Sequence, residues 1–318
     1  MNRFRTAGLA GTLVAAMALP GAAQERPRVL ATVGMLADMV DNLSDGCAEV
    51  EALMGPGIDP HLYQPTAADV ARLQQADAIL YVGLGLEGRL GAILGRLGAD
   101  RATLGVGEGL DEGENLIRTD DAYGVDPHIW MDVALWARAI PAVSGFLGDL
   151  GCAAAPEGYA GELAALDDWV RSSIASIPPE QRALVTAHDA FGYFARAYDI
   201  QEVSLQGIST ETETSIADIR DTADLVAARQ VPAVFVESTI NPRSIEALRA
   251  ALRDRGHEVA LGGTLYSDAM GETGTPEGTY IGMIRANTIR ITEALGGTPA
   301  PWPDALGPWA AGQGLGNP

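Results

Sequence analysis

From residue 28 onward, short apolar blocks alternate with longer stretches in which apolar residues recur every three or four positions. The blocks at 28–33, 50–54, 78–82 and 103–106 predict strands, and 36–43 and 66–75 predict helices between them. Thr66 with Asp69 three residues on resembles a capping box, with Asp in place of Glu. Another helical stretch covers 132–147, with a bend expected at Pro141. The clearest helix runs from Pro156 to Ile177. Its Leu163, Leu166, Val170, Ile174 and Ile177 are spaced 3, 4, 4 and 3, one continuous apolar stripe. Pro156 suits its start and Pro178-Pro179 stop it. At 1.5 Å per residue it is roughly 33 Å long. The alternation then restarts, with strands at 183–186, 202–205, 233–236 and 259–261 and helices at 215–229, 241–255 and 278–295. Asn241 is the predicted N-cap of the second of these helices, Pro242 its first residue and Gly256 its stop.

Strand–helix alternation of this kind predicts an α/β fold: two lobes with mostly parallel sheets, joined by a single long helix. The expected division is an N-terminal lobe at 24–154, a linking helix at 155–178 and a C-terminal lobe at 179–296. The tail at 297–318, rich in Pro, Gly and Trp, shows no period. Residues 1–23 are set apart as an export leader. Arg3 and Arg5 precede a 13-residue apolar run, and Gly21-Ala22-Ala23 offers a small-residue cleavage site. That run is too short to span a bilayer, and no later stretch reaches 18 uninterrupted apolar residues. The expected product is a soluble periplasmic protein, cleaved near Ala23. It should carry no lipid anchor, because no cysteine lies near the cleavage site.

Charge narrows the partners. The net charge is −21, which disfavours nucleic acid and anionic membrane surfaces and draws in cations. Solubility alone accounts for such a charge equally well. All 21 basic residues are arginine, so Schiff-base chemistry and a P-loop are excluded, and nucleotide with them. Cys47 and Cys152 are the only cysteines; export favours a disulfide between them, with two buried thiols as the alternative.

Candidate chemistry rests on three of the chain's four histidines. Asp-Pro-His occurs twice, at Asp59-Pro60-His61 and Asp126-Pro127-His128, and His188 stands in Thr-Ala-His-Asp. Proline stiffens the approach to each of the first two. Ligands in open α/β sheets bind beyond the carboxyl ends of strands. His61, His188 and Asp268 all follow predicted strands, and His128 opens a helix from a loop. Three imidazoles and a carboxylate suit Zn²⁺, or Mn²⁺ if the carboxylate binds through both oxygens. Glu211 and Glu237 also lie past strand ends, either supporting the ligands from behind or capping the helices that follow. Asp59, Asp126 and Asp189 either accept a histidine's second ring nitrogen or cap turns. Trp130 reads as packing, and His257, at a helix-to-strand turn, as exposed.

These motifs resemble those of the cluster A-I (TroA-like) solute-binding proteins. The matching segments are Pro-Gly-Ile-Asp-Pro-His61, Asp-Pro-His128-Ile-Trp-Met-Asp, Thr-Ala-His188-Asp-Ala-Phe-Gly-Tyr-Phe and Leu-Tyr-Ser-Asp268-Ala-Met-Gly, with Gln206 to Glu211 besides. The resemblance covers essentially residues 28–295. It implies a rigid linking helix and one divalent ion in the cleft between lobes, held by His61, His128, His188 and Asp268. It also implies a role as the extracytoplasmic receptor of an ABC importer for zinc, manganese or iron, a monomer that hands its ion to a membrane permease. Zinc-dedicated members often carry a long His-rich loop before the second motif, but residues 109–125 hold no histidine. Manganese-dedicated members often have Glu where this chain has His188. The alternatives are a metallohydrolase with a zinc-bound water and a surface adhesin. Four protein ligands and the lack of a His-Glu-x-x-His helix oppose the first; the lack of an anchor opposes the second.

Overall fold

In the computed structural model, residues 26–98, 101–111, 115–120, 124–152 and 156–315 are described; the expected leader lies outside them. The N-terminal lobe runs β1 (Arg28–Ala31), α1 (Gly34–Ser44), β2 (Glu49–Ala52), α2 (Ala67–Gln75), β3 (Ala78–Tyr81), α3 (Gly88–Leu97) and β4 (Ala102–Gly105). Its four strands form a parallel sheet in the order β2-β1-β3-β4. Side chains alternate across such a sheet, and both faces are covered. Val29, Ala31, Ala78 and Leu80 join the main core, whereas Leu30 and Ile79 pack with Leu73, Leu90 and Leu94 of α2 and α3. The capping box of Thr66 and Asp69 is present. Helix α3 shows no clear period in the sequence, because Gly88, Gly91 and Gly95 dilute its apolar stripe.

The predicted 132–147 helix is two helices, α4 (Val133–Ala137) and α5 (Ile140–Asp149). Pro141 cannot donate to the preceding turn, so it sits in the first turn of α5 instead of bending one continuous helix. Helix α6 (Pro156–Ala175) is the link, and every residue of the predicted stripe is buried. A disulfide between Cys47 and Cys152 ties the end of α1 to the approach to this helix, closing a loop of 105 residues.

The C-terminal lobe comprises β5 (Ala183–Thr186), α7 (Gly192–Tyr198), β6 (Gln201–Ser204), α8 (Ile216–Arg229), β7 (Ala233–Glu237), α9 (Arg243–Asp254), β8 (Ala260–Leu265) and α10 (Tyr280–Ala294). Its strands pair in parallel, β5 with β6 and β7 with β8, and β5 lies beside β7. Helix α9 begins one residue later than predicted. Pro242 takes the cap position, and Asn241 Oδ1 accepts the Arg243 N–H from outside the helix at 3.1 Å.

The tail, unassigned from sequence, straps the linking helix and ends in α11 (Gly307–Gly312). Trp169 Nε1 donates to Ala300 O at 2.8 Å, Ala300 N–H donates to Ser173 Oγ at 3.0 Å, and Thr298 N–H donates to Ser176 Oγ at 2.9 Å. Trp302 meets Trp169 edge-on and lies under the Arg285 guanidinium of α10. Tail, α6 and α10 thus form one packed unit, which opposes bending of the link. Among the described residues no helix is long and apolar enough to cross a membrane.

Candidate metal centre

His61 lies on the loop after β2, and His128 opens the short 3₁₀ turn before α4. His188 follows β5 directly and Asp268 follows β8. These four side chains, two from each lobe, are buried together at the junction of the lobes, and their ligand atoms all lie within 4.8 Å of one another. Asp268 occupies the middle. Its Oδ1 is 3.3 Å from His128 Nε2, and its Oδ2 is 3.2 Å from His188 Nε2 and 3.8 Å from His61 Nε2. His61 Nε2 and His128 Nε2 are 3.3 Å apart.

Four donors at about 2.1 Å from a tetrahedral ion stand about 3.4 Å from one another. The observed separations bracket that value. Neither carboxylate oxygen of Asp268 has a hydrogen-bond donor in good geometry, and the same holds for His188 Nε2. Buried acceptors without donors are costly, and a cation between them removes the cost. The donor set therefore fits a transition-metal ion.

The two Asp-Pro-His copies do different work. Asp126 Oδ1 accepts the His128 backbone N–H at 2.9 Å and lies 2.7 Å from His128 Nδ1, which aims Nε2 into the cleft. Asp59 Oδ1 accepts the His61 backbone N–H at 2.8 Å, while Oδ2 accepts the Thr210 hydroxyl at 2.6 Å. Asp59 thus caps a turn and spans the lobes without orienting an imidazole. Glu237, at the end of β7, supports His188. Its Oε1 accepts the backbone N–H groups of Ala187 and His188 at 2.8 and 3.0 Å, and Oε2 lies 2.6 Å from His188 Nδ1. Asp189 does not serve a ligand ring; it hydrogen-bonds Glu202, and burial, with repulsion from Asp126 at Asp189 and from Asp189 at Glu202, raises both carboxyls. Glu211 is exposed and outside the cluster, its N–H donating to Ser209 Oγ. His257 is half-buried, not exposed, with Nε2 2.9 Å from Val231 O, and is not one of the four.

Burial opposes charge on every imidazole in the cluster. At His128 the Asp126 and Asp268 carboxylates outweigh it, and the ring is pushed up to about 9. At His188, Glu237 and Asp268 likewise outweigh burial and raise it well above the usual value. At His61 burial dominates over Asp268, and the ring is pushed down to about 3. Burial also works against the Asp268 charge, but His188 and His128 hold its carboxyl well below the usual range.

Two supports were not legible as functional. Trp130 Nε1 donates to Ser267 O at 2.8 Å and Trp130 O accepts from Tyr280 OH at 2.7 Å, so the His128 turn is bonded across the cleft next to Asp268. Glu87 lies in a glycine-rich, apolar loop, where a lone acid is the available signal. Its Oε1 accepts Thr32 Oγ1 and Val82 N–H at 2.8 and 2.7 Å, and Oε2 accepts Gly83 N–H at 3.0 Å. The next residue, Gly88 (φ +44°), backs the His61 carbonyl so closely that a Cβ there would stand 2.8 Å from the oxygen.

The family model described as zinc-uptake complex component A, periplasmic, matches residues 29–294. The chain belongs to this family. Zinc-binding protein TroA of Treponema pallidum is 44% identical over 86% of this chain and 90% of its own length. Manganese-binding lipoprotein MntA of Bacillus subtilis is 39% identical over 90% of this chain and 98% of its own. The solved structure of the T. pallidum periplasmic zinc-binding protein TroA superposes with a TM-score of 0.81, covering 85% of this chain and 99% of that one. Iron-bound YtgA of Chlamydia trachomatis, 26% identical, superposes with a TM-score of 0.76 over 86% of this chain and 99% of its own.

Glu87→Gln tests whether the loop beneath His61 depends on a carboxylate. Burial raises Glu87 to about 7, so at pH 8 it is mostly ionised and can accept from all three donors. An amide must turn an N–H toward one of them. The variant is expected to lose about 1–3 kcal/mol of stability at pH 8 in a denaturant titration. An unchanged midpoint contradicts this role.

Proposed function

We propose that the chain captures one divalent transition-metal ion in the cleft between its lobes, in the periplasm, and delivers it to the membrane permease of an ABC importer. The observation that carries this reading is the convergence of three imidazole Nε2 atoms on a buried carboxylate that lacks proton donors in good geometry. His61, His128, His188 and Asp268 are the proposed ligands; Asp126 and Glu237 orient two of the rings. Four protein donors leave no open position of the kind a catalytic zinc keeps for water, in keeping with a family of transport proteins. The leader at 1–23 supports export, and the net charge of −21 and the absence of lysine support a protein that works without nucleic acid or nucleotide; we propose that it acts as a monomer.

Zinc and manganese are both proposed cargo. The relatives divide between them by name, and the iron-binding protein YfeA of Yersinia pestis, 30% identical, keeps Fe²⁺ within the candidates. A nitrogen-rich site binds zinc more tightly than manganese almost regardless of its biological cargo. Metal accumulation by cells with and without the protein, under separate zinc and manganese limitation, identifies that cargo.

An ion at about 1,000 times its Kd adds roughly 4 kcal/mol of stability. A chelator is therefore expected to lower the melting temperature of the native chain clearly. His188→Ala should lose most of that shift, whereas His257→Ala should keep it. Equal loss in both variants overturns the site.

Binding must also displace protons from His128, pushed up to about 9, and from His188, raised well above the usual imidazole value. At pH 7 about two protons are expected to leave per ion bound, and affinity should fall as pH falls. Calorimetry in buffers of different ionisation enthalpy counts them. Binding without proton release, or affinity that rises toward acid pH, contradicts this account.

A further inference from the structure

The four proposed ligands are not enclosed alike. The His128 turn is bonded across the cleft through Trp130, and Glu237 holds the backbone on both sides of the Ala187–His188 peptide. The Asp268 loop is pinned at Tyr266, whose N–H and carbonyl both bond the Asn287 side chain of α10. The His61 segment instead lies at the rim. Ile58 and Leu62, on either side of His61, are 41% and 50% exposed. Its approach contains Gly55 and Gly57, the latter at φ +69°, with nothing but the Ser238 carbonyl of the other lobe near a notional Cβ of Gly57.

Across the cleft from this segment stands Thr210, 9% exposed, on the loop between β6 and α8. Its hydroxyl donates to Asp59 Oδ2 at 2.6 Å, joining residues 151 positions apart in the chain. The other oxygen of that carboxylate accepts the His61 backbone N–H. One carboxylate therefore connects the backbone of a proposed ligand in the first lobe to a hydroxyl in the second. We infer that the Thr210–Asp59 hydrogen bond is a rim latch, and that the ion leaves when this bond opens and the His61 segment lifts from the cleft. Thr210 is then a positioning residue. It touches no ligand atom and acts on His61 through Asp59. The geometry suits the part: a hydrogen bond to a charged acceptor is strong enough to hold a loop, yet a single one breaks and re-forms readily. The inference rests on the metal-capture reading above.

Thr210→Val removes the hydroxyl at nearly constant shape. The protein is loaded with one equivalent of Zn²⁺ and mixed with excess chelator in a stopped-flow instrument, and the release rate is read. Release from Thr210→Val is expected to be about tenfold faster than from the native chain, the scale of one such bond. Thr210→Ser, which keeps the donor, should restore the native rate. The metal-free melting temperature of Thr210→Val should fall only by the few degrees that one hydrogen bond is worth, with release still about tenfold faster well below that temperature, which separates a latch from a general structural role. If Thr210→Val fails to fold, Thr210→Ala carries the same expectation. Release within twofold of native from the hydroxyl-free variant, or Thr210→Ser as fast as Thr210→Val, overturns the latch while leaving metal capture intact. A native chain that retains no Zn²⁺ overturns both.

Discussion

A carboxylate buried where two lobes meet is the constraint around which this molecule is arranged. Asp268 is 1% exposed, and neither oxygen has a well-directed donor. An isolated buried carboxylate is among the costliest groups a fold can carry. Three imidazoles face it at 3.2 to 3.8 Å, and two of them are backed by further acids, Asp126 and Glu237. Positive charge must enter this cluster in some form. Protonation of His128 and His188, both raised, is one source, and a divalent ion held by the four donors would be another. Under the proposed function, the same constraint makes binding sensitive to pH and favours cations over neutral solutes.

The rest of the fold holds that cluster at fixed spacing. Three of the proposed ligands follow strands, as the topology of parallel sheets favours, His128 opens the turn before α4, and each lobe contributes two. Trp130, Tyr280 and Asp59 bond across the cleft, so the lobes are joined at the site as well as through α6. The tail packs along α6 and bonds to Trp169, Ser173 and Ser176, opposing the helix bending that a wide opening of the cleft needs. Motion that releases an ion is accordingly easier at a loop than between whole lobes.

Much of this was legible in the chain, for identifiable reasons. The α6 stripe is strict because one helix face is buried along its length, and the repeated Asp-Pro-His marks two of the four converging side chains. What escaped the sequence is long-range or masked. Helix α3 is diluted by glycine and α7 is short, so neither shows a clear period. The two Asp-Pro-His copies look identical, but their aspartates differ in function because Thr210 takes one oxygen of Asp59, whereas Asp126 Oδ1 lies 2.7 Å from His128 Nδ1. No local pattern announces such a partner. Glu211 and Asp189 illustrate the converse: both are acids past a strand end, yet one faces solvent and the other pairs with Glu202.

The central claim is that one ion binds at the meeting point of His61, His128, His188 and Asp268. X-ray absorption at the metal edge of protein carrying one equivalent of Zn²⁺ tests it directly. The account predicts three imidazole nitrogens at about 2.0–2.1 Å and carboxylate oxygen at about 2.0–2.2 Å, with the imidazole scattering pattern strong. A spectrum dominated by oxygen with one imidazole or none would contradict it, because the ion would then lie on the acidic surface and not in the cleft.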